Sequence, residues 1–254
     1  MENQAFENHD KSGQRKKMAD ETLADLNKKG NNKFTLLLVG RTGVGKSSSI
    51  DTLLGKEVAK VNDSKPETMK VTKYPGQTND IKYDIIDTPG LCDDFAVAGH
   101  DEAYLNQIIE NVKSFDLMWF VAFFADTRVS ADEMRAIKML HKAFGKAAWD
   151  KTVLVLTFSN SFFPPADFAK KLESRTEAIQ NEIGKHCSIT LAPAIPSVAI
   201  DNAIITNPDG QEWLGELYTT IIERISANAA LPFIMATASR LKVEKPDKFV
   251  LKTA

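Results

Sequence analysis

Cysteine, histidine and long apolar runs are scarce in this chain of 254 residues. The two cysteines, Cys92 and Cys187, form no CxxC pair, which excludes a disulfide framework and favours a reducing, intracellular setting. The four histidines lack the spacing of metal ligands, so we predict no zinc site. No stretch reaches the roughly 20 apolar residues that span a bilayer, and the polar N-terminus predicts no secretory signal. The net charge of −2 predicts no nucleic-acid partner.

A glycine-rich segment, GRTGVGKS at 40–47, fits the pattern G-x-x-x-x-G-K-[ST] between a buried strand and a helix. Its glycines allow the backbone to curl so that successive N–H groups face phosphates, and the helix N-terminus adds partial positive charge. Lys46 is expected to bridge the β- and γ-phosphates, and the Ser47 hydroxyl to bind Mg²⁺. The predicted nucleotide-binding residues of this loop are Arg41, Thr42, Gly43, Val44, Gly45, Lys46, Ser47 and Ser48.

A second motif, Asp87-Thr88-Pro89-Gly90, ends another predicted strand. An acidic residue at the end of a strand can hold Mg²⁺, so Asp87 joins Ser47 as a predicted metal residue, and the Gly90 N–H is expected to meet a γ-phosphate. Together with the first loop, this motif favours a GTPase over a kinase or an ATPase.

Apolar and polar segments alternate from Phe34 onward, which is typical of an α/β fold. With the two motifs, the pattern predicts a P-loop NTPase of the Ras-like G-domain type, with a mainly parallel central sheet flanked by helices. The predicted strands are 34–40, 68–74, 81–87, 116–124, 152–158 and 194–200, with a turn at Pro75-Gly76. The predicted helices are 46–54, 101–113, 130–144, 165–184 and 211–227.

Three domain-level segments follow from this pattern. Residues 1–32 form a polar tail and a short amphipathic helix at 14–29, residues 33–227 form the G domain, and residues 228–254 form a C-terminal extension. The apolar part of that extension, 229–238, is expected to pack on the domain or to lead into a further segment.

Guanine recognition needs an unusual source in this chain, because the Asn-Lys-x-Asp segment that most GTPases use is absent. The combination of GRTGVGKSS, IDTPGL and FGKAAWDKTVLVLT with a double proline at 164–165 resembles the septin-related GTPases. These include the GIMAP proteins and the chloroplast outer-envelope import receptors, and the receptor branch is the more similar. The resemblance extends from about residue 20 to about residue 227 and includes PDG at 208–210 followed by Trp213.

The resemblance implies which residues contact the base. Phe158 stands where the family has a histidine beside the guanine ring, and Asp201-Asn202 matches an acidic-Asn pair at the base edge. An aromatic ring can still stack on a purine, and a carboxylate can accept from two guanine N–H groups. Plain core packing of Phe158, and a surface turn or helix cap at Asp201, remain the alternatives.

Hydrolysis is expected to be slow in the isolated chain. Ras-like enzymes place a water-orienting glutamine where this sequence has Leu91, which cannot polarise water. By resemblance, Arg128 matches an arginine that import receptors present across a nucleotide-facing homodimer. It could act catalytically, hold the dimer together or be a solvated surface residue. Thr68 is the predicted switch threonine over Mg²⁺, with Thr72 and Thr78 as weaker candidates.

These observations predict a regulatory GTPase with Mg²⁺ and GTP or GDP as ligands. The expected partners are a homodimer or a related GTPase, and a membrane surface or a preprotein. The expected location is the cytoplasm, at the cytosolic face of an organelle membrane, which is the chloroplast outer envelope for an import receptor. The alternatives are an ATP-using kinase, a membrane-associated septin-like scaffold that uses nucleotide structurally, and a soluble GIMAP-type GTPase.

Overall fold

The structure is a computed structural model that describes residues 32–55, 71–78, 81–88, 100–162, 164–187, 190–237, 241–245 and 248–251. Side chains are described for these residues except 100–104 and 241–251. The predicted helix at 14–29, together with Thr68, Gly90 and Leu91, lies outside the described residues.

A six-stranded sheet forms the centre of the domain, in the order β2-β3-β1-β4-β5-β6. All neighbouring strands are parallel except β2, which pairs antiparallel with β3 at one edge. The predicted mainly parallel sheet is confirmed. The strands are β1 (Lys33–Val39), β2 (Thr72–Thr78), β3 (Ile81–Asp87), β4 (Leu117–Phe123), β5 (Thr152–Thr157) and β6 (Ser197–Ala199).

In the part of the chain that the structure describes, six α-helices cover the two faces of this sheet. Short 3-10 helices precede β5 and α4 and follow β5, and another lies before β6. The α-helices are α1 (Lys46–Leu54), α2 (His100–Asn111), α3 (Ala131–Phe144), α4 (Phe168–Gly184), α5 (Trp213–Arg224) and α6 (Ala227–Thr237).

Strand residues alternate between two separate hydrophobic cores. In β1, Leu37 and Val39 join the core built with α2, α3 and α4, whereas Phe34, Leu36 and Leu38 join the core built with α1, α5 and α6. Both faces of the parallel strands are therefore covered by helices and largely excluded from water. This explains why these segments are continuously apolar in sequence rather than alternating.

The predicted turn at Pro75-Gly76 is wrong, because β2 runs through both residues. Proline is tolerated there because β2 is an edge strand, where a missing N–H leaves no ladder partner unpaired. Gly76 lies opposite Tyr83, and a Cβ on Gly76 would come within 2.4 Å of the Tyr83 ring. The glycine therefore makes room for an aromatic ring of the neighbouring strand, and the sequence pattern mimics a turn.

The segment after residue 227 packs on the domain. Phe233 of α6 contacts Phe34 edge-to-face, with ring centroids 5.6 Å apart, and Tyr218 at 5.7 Å. Beyond α6, the strands β7 (Leu241–Lys245) and β8 (Lys248–Leu251) form an antiparallel pair that the sequence analysis did not predict. In the described ranges, no helix has the length and apolar character needed to traverse a bilayer.

Asp84 holds two lysines across the edge of the sheet. Its carboxylate lies 2.5 Å from the Lys33 ammonium and 2.7 Å from that of Lys73, on the strands to either side. Burial of Asp84 disfavours its charge, but the hydrogen bonds and charges of the two lysines outweigh burial and lower its pKa.

We expect Asp84→Asn to reduce the free energy of unfolding at neutral pH by about 1 kcal/mol, since both lysines are half exposed and screened. A lowered folded pKa means that this stabilisation is present above the unfolded pKa of about 4 and is lost as pH falls through the folded pKa. Urea unfolding at pH 7 and at pH 3 measures it, with the exposed Glu110→Gln as control. A difference between wild type and Asp84→Asn that is equal at both pH values would contradict the expectation.

Candidate phosphate and metal site

The glycine-rich loop leaves β1 after Val39 and enters α1 at Lys46. Three of its glycines adopt positive φ angles, 155° at Gly40, 80° at Gly43 and 86° at Gly45, conformations that side-chain-bearing residues rarely take. Gly45 is the N-terminal cap residue of α1 and lies in the left-handed region. The curled backbone and the helix N-terminus together form the geometry that binds phosphate.

Close approaches fix this loop against the sheet. A Cβ on Gly40 would lie 2.2 Å from the backbone oxygen of Val121 in β4, so no side chain fits. The Thr157 hydroxyl, at the end of β5, donates to the carbonyls of Val44 at 2.7 Å and Ala122 at 3.1 Å. Sequence analysis missed Thr157, although a hydroxyl that ends a buried apolar strand is a usable signal.

Lys46 lies inside the loop that it follows. It is 8% exposed, and its ammonium donates to the carbonyl oxygens of Gly40 and Arg41, each at 2.9 Å. The cation is thereby held within the curl of the loop. These contacts suit a lysine that meets phosphate oxygens there.

Asp87 ends β3 close to Lys46. Burial raises the pKa of Asp87, and the positive charge of Lys46 opposes this shift. Among the described residues, its Oδ1 atom is buried and has no hydrogen-bond partner. A buried carboxylate oxygen without a partner in the described structure, close to the loop lysine, fits a hard cation that prefers oxygen ligands. Ser47, the residue after Lys46, is partly buried at the start of α1.

Phe158 lies on the opposite side of the loop, directly after β5. It is the one residue other than glycine with a positive φ, 58°, in the described parts of the chain, and it is 41% exposed. A Cβ on Gly45 would lie 3.5 Å from the Phe158 ring, and the ring centroid lies 5.3 Å from that of Phe123. An exposed ring held in a strained backbone beside the phosphate loop is available for stacking, whereas plain core packing would bury it.

The Asp201 side chain accepts hydrogen bonds from backbone N–H groups of its own loop. Its Oδ1 accepts from the N–H groups of Ala203 at 2.9 Å and Ile204 at 3.1 Å, and its Oδ2 accepts from the Asn160 N–H at 3.3 Å. This geometry stabilises the turn after β6 and draws it against the segment after β5. A contact between Asp201 and guanine stays a prediction.

Asn202 contacts α1. Its amide donates to the Ser49 hydroxyl at 3.1 Å and to the Gly45 carbonyl at 3.4 Å, and its oxygen accepts from the Thr52 hydroxyl at 3.4 Å. Asn202 therefore joins the predicted base loop to the phosphate loop. Its predicted contact with the base is also untested.

Arg128 is exposed in the segment between β4 and α3. Its backbone carbonyl accepts from Arg175 of α4 at 2.9 Å. Sequence analysis did not identify Arg175, because in sequence it is one of several basic residues on a polar helix. The predicted contributions of Thr68 and Gly90 lie outside the described residues.

The part of the chain that carries the phosphate loop after β1 and the acidic residue at the end of β3 lies within the range of a matching family profile. The sequence profile of the AIG1 family matches residues 34–190. The chain belongs to the AIG1 family. This AIG1-family chain is 27% identical over 224 residues to Translocase of chloroplast 34 of Pisum sativum, covering 80% of this chain and 69% of that protein. It spans only 50% and 21% of two other chloroplast translocases that match.

Solved structures show the same fold. The AIG1-family chain superposes on Arabidopsis thaliana Toc33 in complex with GDP and Mg²⁺ with a TM-score of 0.64 at 24% identity, covering 91% of this chain and 93% of that one. A second structure, described as showing that dimerization is important for the GTPase activity of atToc33 and psToc159, matches with a TM-score of 0.64 at 22% identity and 91% coverage of both chains. The predicted P-loop G-domain fold and the family resemblance are confirmed.

Proposed function

We propose that this chain is a guanine-nucleotide-binding regulatory GTPase that hydrolyses GTP slowly alone and whose nucleotide state controls dimerisation or partner binding. The main observation behind this proposal is the phosphate loop with Lys46 held inside it, together with a nearby buried Asp87 oxygen that has no hydrogen-bond partner among the described residues. The likeness to Toc33, which has been solved with GDP and Mg²⁺, supports this assignment.

The chain's own residues have separable roles in this proposal. Lys46 exchanges its two loop carbonyls for β- and γ-phosphate oxygens. The loop amides and the start of α1 bind the remaining phosphate charge. Ser47, Asp87 and Thr68 would hold Mg²⁺, which supplies positive charge to the phosphate oxygens. The Gly90 N–H orients the γ-phosphate.

The base end of the site rests on Phe158, Asp201 and Asn202. Phe158 stacks on the purine, and Asn202 sets the distance between base and phosphates through Gly45. Asp201 accepts from guanine N–H groups with the oxygen capacity that its backbone contacts leave free. Arg128 reaches the nucleotide of a second copy, where its charge stabilises the transition state or the dimer.

Calorimetric titration with GDP, GTP and ADP, beside light scattering in each state, tests the assignment. We expect GDP and GTP to bind at least about tenfold more tightly than ADP, because adenine cannot supply the N–H groups that a carboxylate accepts. We also expect dimer formation to depend on the bound nucleotide. Equal affinities for ADP and GDP would contradict guanine specificity and favour an ATP-using enzyme. A monomer in every state would contradict the role of Arg128.

Removal of the metal tests Asp87. EDTA is expected to weaken GDP binding by wild type by about tenfold, because charge at the phosphates is no longer compensated. Asp87→Asn is expected to bind GDP at the EDTA level whether or not Mg²⁺ is present. Glu110→Gln, an exposed carboxylate on α2, is the control and should respond to EDTA as wild type does. An Asp87→Asn variant with a full Mg²⁺ response would remove Asp87 from the metal site.

The cellular role extends the same proposal. The relatives named translocases of chloroplast support a receptor-like switch at the cytosolic face of an organelle membrane, with a preprotein or a related GTPase as partner. A septin-like scaffold is the second candidate. Partner binding that is unchanged in a variant unable to bind nucleotide would favour the scaffold.

A further inference from the structure

Arg175 is a buried cation beneath the segment 124–130. It belongs to α4 and is 1% exposed. Its Nε donates to the Phe123 carbonyl at 3.1 Å and its Nη1 to the Arg128 carbonyl at 2.9 Å. One guanidinium therefore binds the chain where it leaves β4 and again five residues later.

Glu133 compensates the buried charge. Its carboxylate accepts from Arg175 Nη2 at 2.6 Å, and the two side chains are 3% and 0% exposed. The same carboxylate accepts from the Ser130 N–H at 2.8 Å, while the Ser130 hydroxyl accepts from the Glu133 N–H. This capping box starts α3 directly after the segment. The pair thus links α4, the segment and the first turn of α3.

A second cation of α4, Lys171, binds the middle of the segment. Lys171, one turn before Arg175 on α4, donates from its ammonium to the Asp126 carbonyl at 2.6 Å. The Asp126 carboxylate in turn lies 3.7 Å from Arg175 Nη2. Three backbone carbonyls, those of the last residue of β4 and of Asp126 and Arg128 in the segment, are therefore bound by two cations of a single helix.

The Arg128 side chain is exposed, whereas its backbone carbonyl is held by Arg175 on the side that faces α4. Replacing a buried ion pair by apolar residues is often neutral or stabilising. A contribution to folding stability therefore does not by itself explain why Arg175 and Glu133 stand here. Apolar side chains would lack the N–H donors of Arg175 that hold the carbonyls of Phe123 and Arg128 in place. A pre-shaped segment loses less conformational entropy when it docks.

We propose that Arg175 is a positioning residue, which holds segment 124–130 in the shape that presents Arg128 to a second copy of the chain. This inference rests on the proposed function, since it requires Arg128 to act across a dimer. It predicts that Arg175 affects dimerisation and hydrolysis only through Arg128. Nucleotide binding by one copy should be independent of Arg175.

The test compares Arg175→Lys, Arg128→Ala and the double variant in the full chain. Lysine retains the charge opposite Glu133 but has a single nitrogen, which cannot replace the three guanidinium nitrogens that bind the Phe123 carbonyl, the Arg128 carbonyl and Glu133. We expect Arg175→Lys to weaken the dimer, measured by analytical ultracentrifugation with a GTP analogue, by about tenfold. GDP affinity should change by less than about twofold. The double variant should dimerise no more weakly than Arg128→Ala alone, whereas a merely structural role would add a separate loss.

Two further variants on α4 keep the test decisive. Lys171→Met removes the bond to the Asp126 carbonyl at a partly exposed position, so the variant is expected to fold. It should weaken the dimer by about threefold. If Arg175→Lys does not fold, Lys171→Met alone tests whether α4 positions the segment. Lys170→Met removes an exposed cation and should leave the dimer unchanged.

The outcomes separate the two proposals. An unchanged dimer in Arg175→Lys and Lys171→Met, with a weakened dimer in Arg128→Ala, would overturn this inference and leave the proposed function standing. Additive losses in the double variant would also overturn it. An unchanged dimer in Arg128→Ala would instead remove the dimer role from the proposed function, and this inference with it.

Discussion

Lys46→Ala is expected to weaken GDP binding by about a hundredfold. Charge-assisted hydrogen bonds are worth about 1.5 to 3 kcal/mol each, and the loss of one strong bond to a phosphate oxygen corresponds to about this factor. The effect should fall mainly on binding, because in the described structure the Lys46 ammonium donates to carbonyl oxygens of its own loop, those of Gly40 and Arg41. The pKa of Asp87 should also rise further, since the charge that opposes its upward shift is removed.

Calorimetry with GDP measures the loss of affinity, and urea unfolding shows whether Lys46→Ala is folded. Lys138→Ala, an exposed lysine on α3, is the matched control and should retain wild-type affinity. A Lys46→Ala variant that is folded and binds GDP as wild type does would show that the loop is not the phosphate site, and the proposed function would be lost.

Gly40→Ala is expected to have the largest effect on stability. The new Cβ would lie 2.2 Å from the Val121 oxygen, far inside the contact distance, and 3.2 Å from a methyl group of Val44. The backbone at φ 155° is also unfavourable for alanine. Overpacking and backbone strain each cost about 1 to 3 kcal/mol, so we expect a loss of about 3 to 5 kcal/mol in the free energy of unfolding.

Gly145→Ala isolates backbone strain from steric overlap. Gly145 follows α3 with a φ of 68°, and a Cβ there would meet nothing within 4 Å. Its ψ of −163° places it in a region that is nearly exclusive to glycine, so its replacement should cost about 1 to 3 kcal/mol from backbone strain alone. Urea unfolding of both variants gives the comparison. Equal losses would mean that the contact with Val121 yields readily and that the loop is not tightly fixed against β4.

The sequence was sufficient to predict the central strands and the phosphate loop. Strands β1, β4 and β5 are apolar through their centres on both faces, β3 (Ile81–Asp87) lies where it was predicted, and the helix α1 begins at Lys46 as predicted. These features depend on local pattern, because a strand buried between two layers of helices must be apolar along its whole length. β6 was predicted over 194–200 but covers only Ser197–Ala199, after a 3-10 helix at Ala192–Ala194.

What the sequence did not predict depends on distant contacts. The strand β2 looks like a turn because the reason for Gly76 is the Tyr83 ring on the next strand. Thr157 and Asn202 contact the phosphate loop from more than a hundred residues away, and Arg175 contacts a segment 47 residues before it. Such contacts follow only from the assembled sheet, whereas single-sequence patterns report neighbours along the chain.

The bond between Asn202 and the first turn of α1 has a consequence for how this site can change over time. Ser49 and Asn202 both donate to the Gly45 carbonyl, Asn202 also donates to Ser49, and Thr52 donates to Asn202, so a change at one of these residues alters the hydrogen bonds of the others. Substitutions at these positions should accordingly arise together in descendants of this gene. On the proposal that the loop after β6 contacts the base, a lineage that alters its base specificity there is expected to alter the first turn of α1 as well.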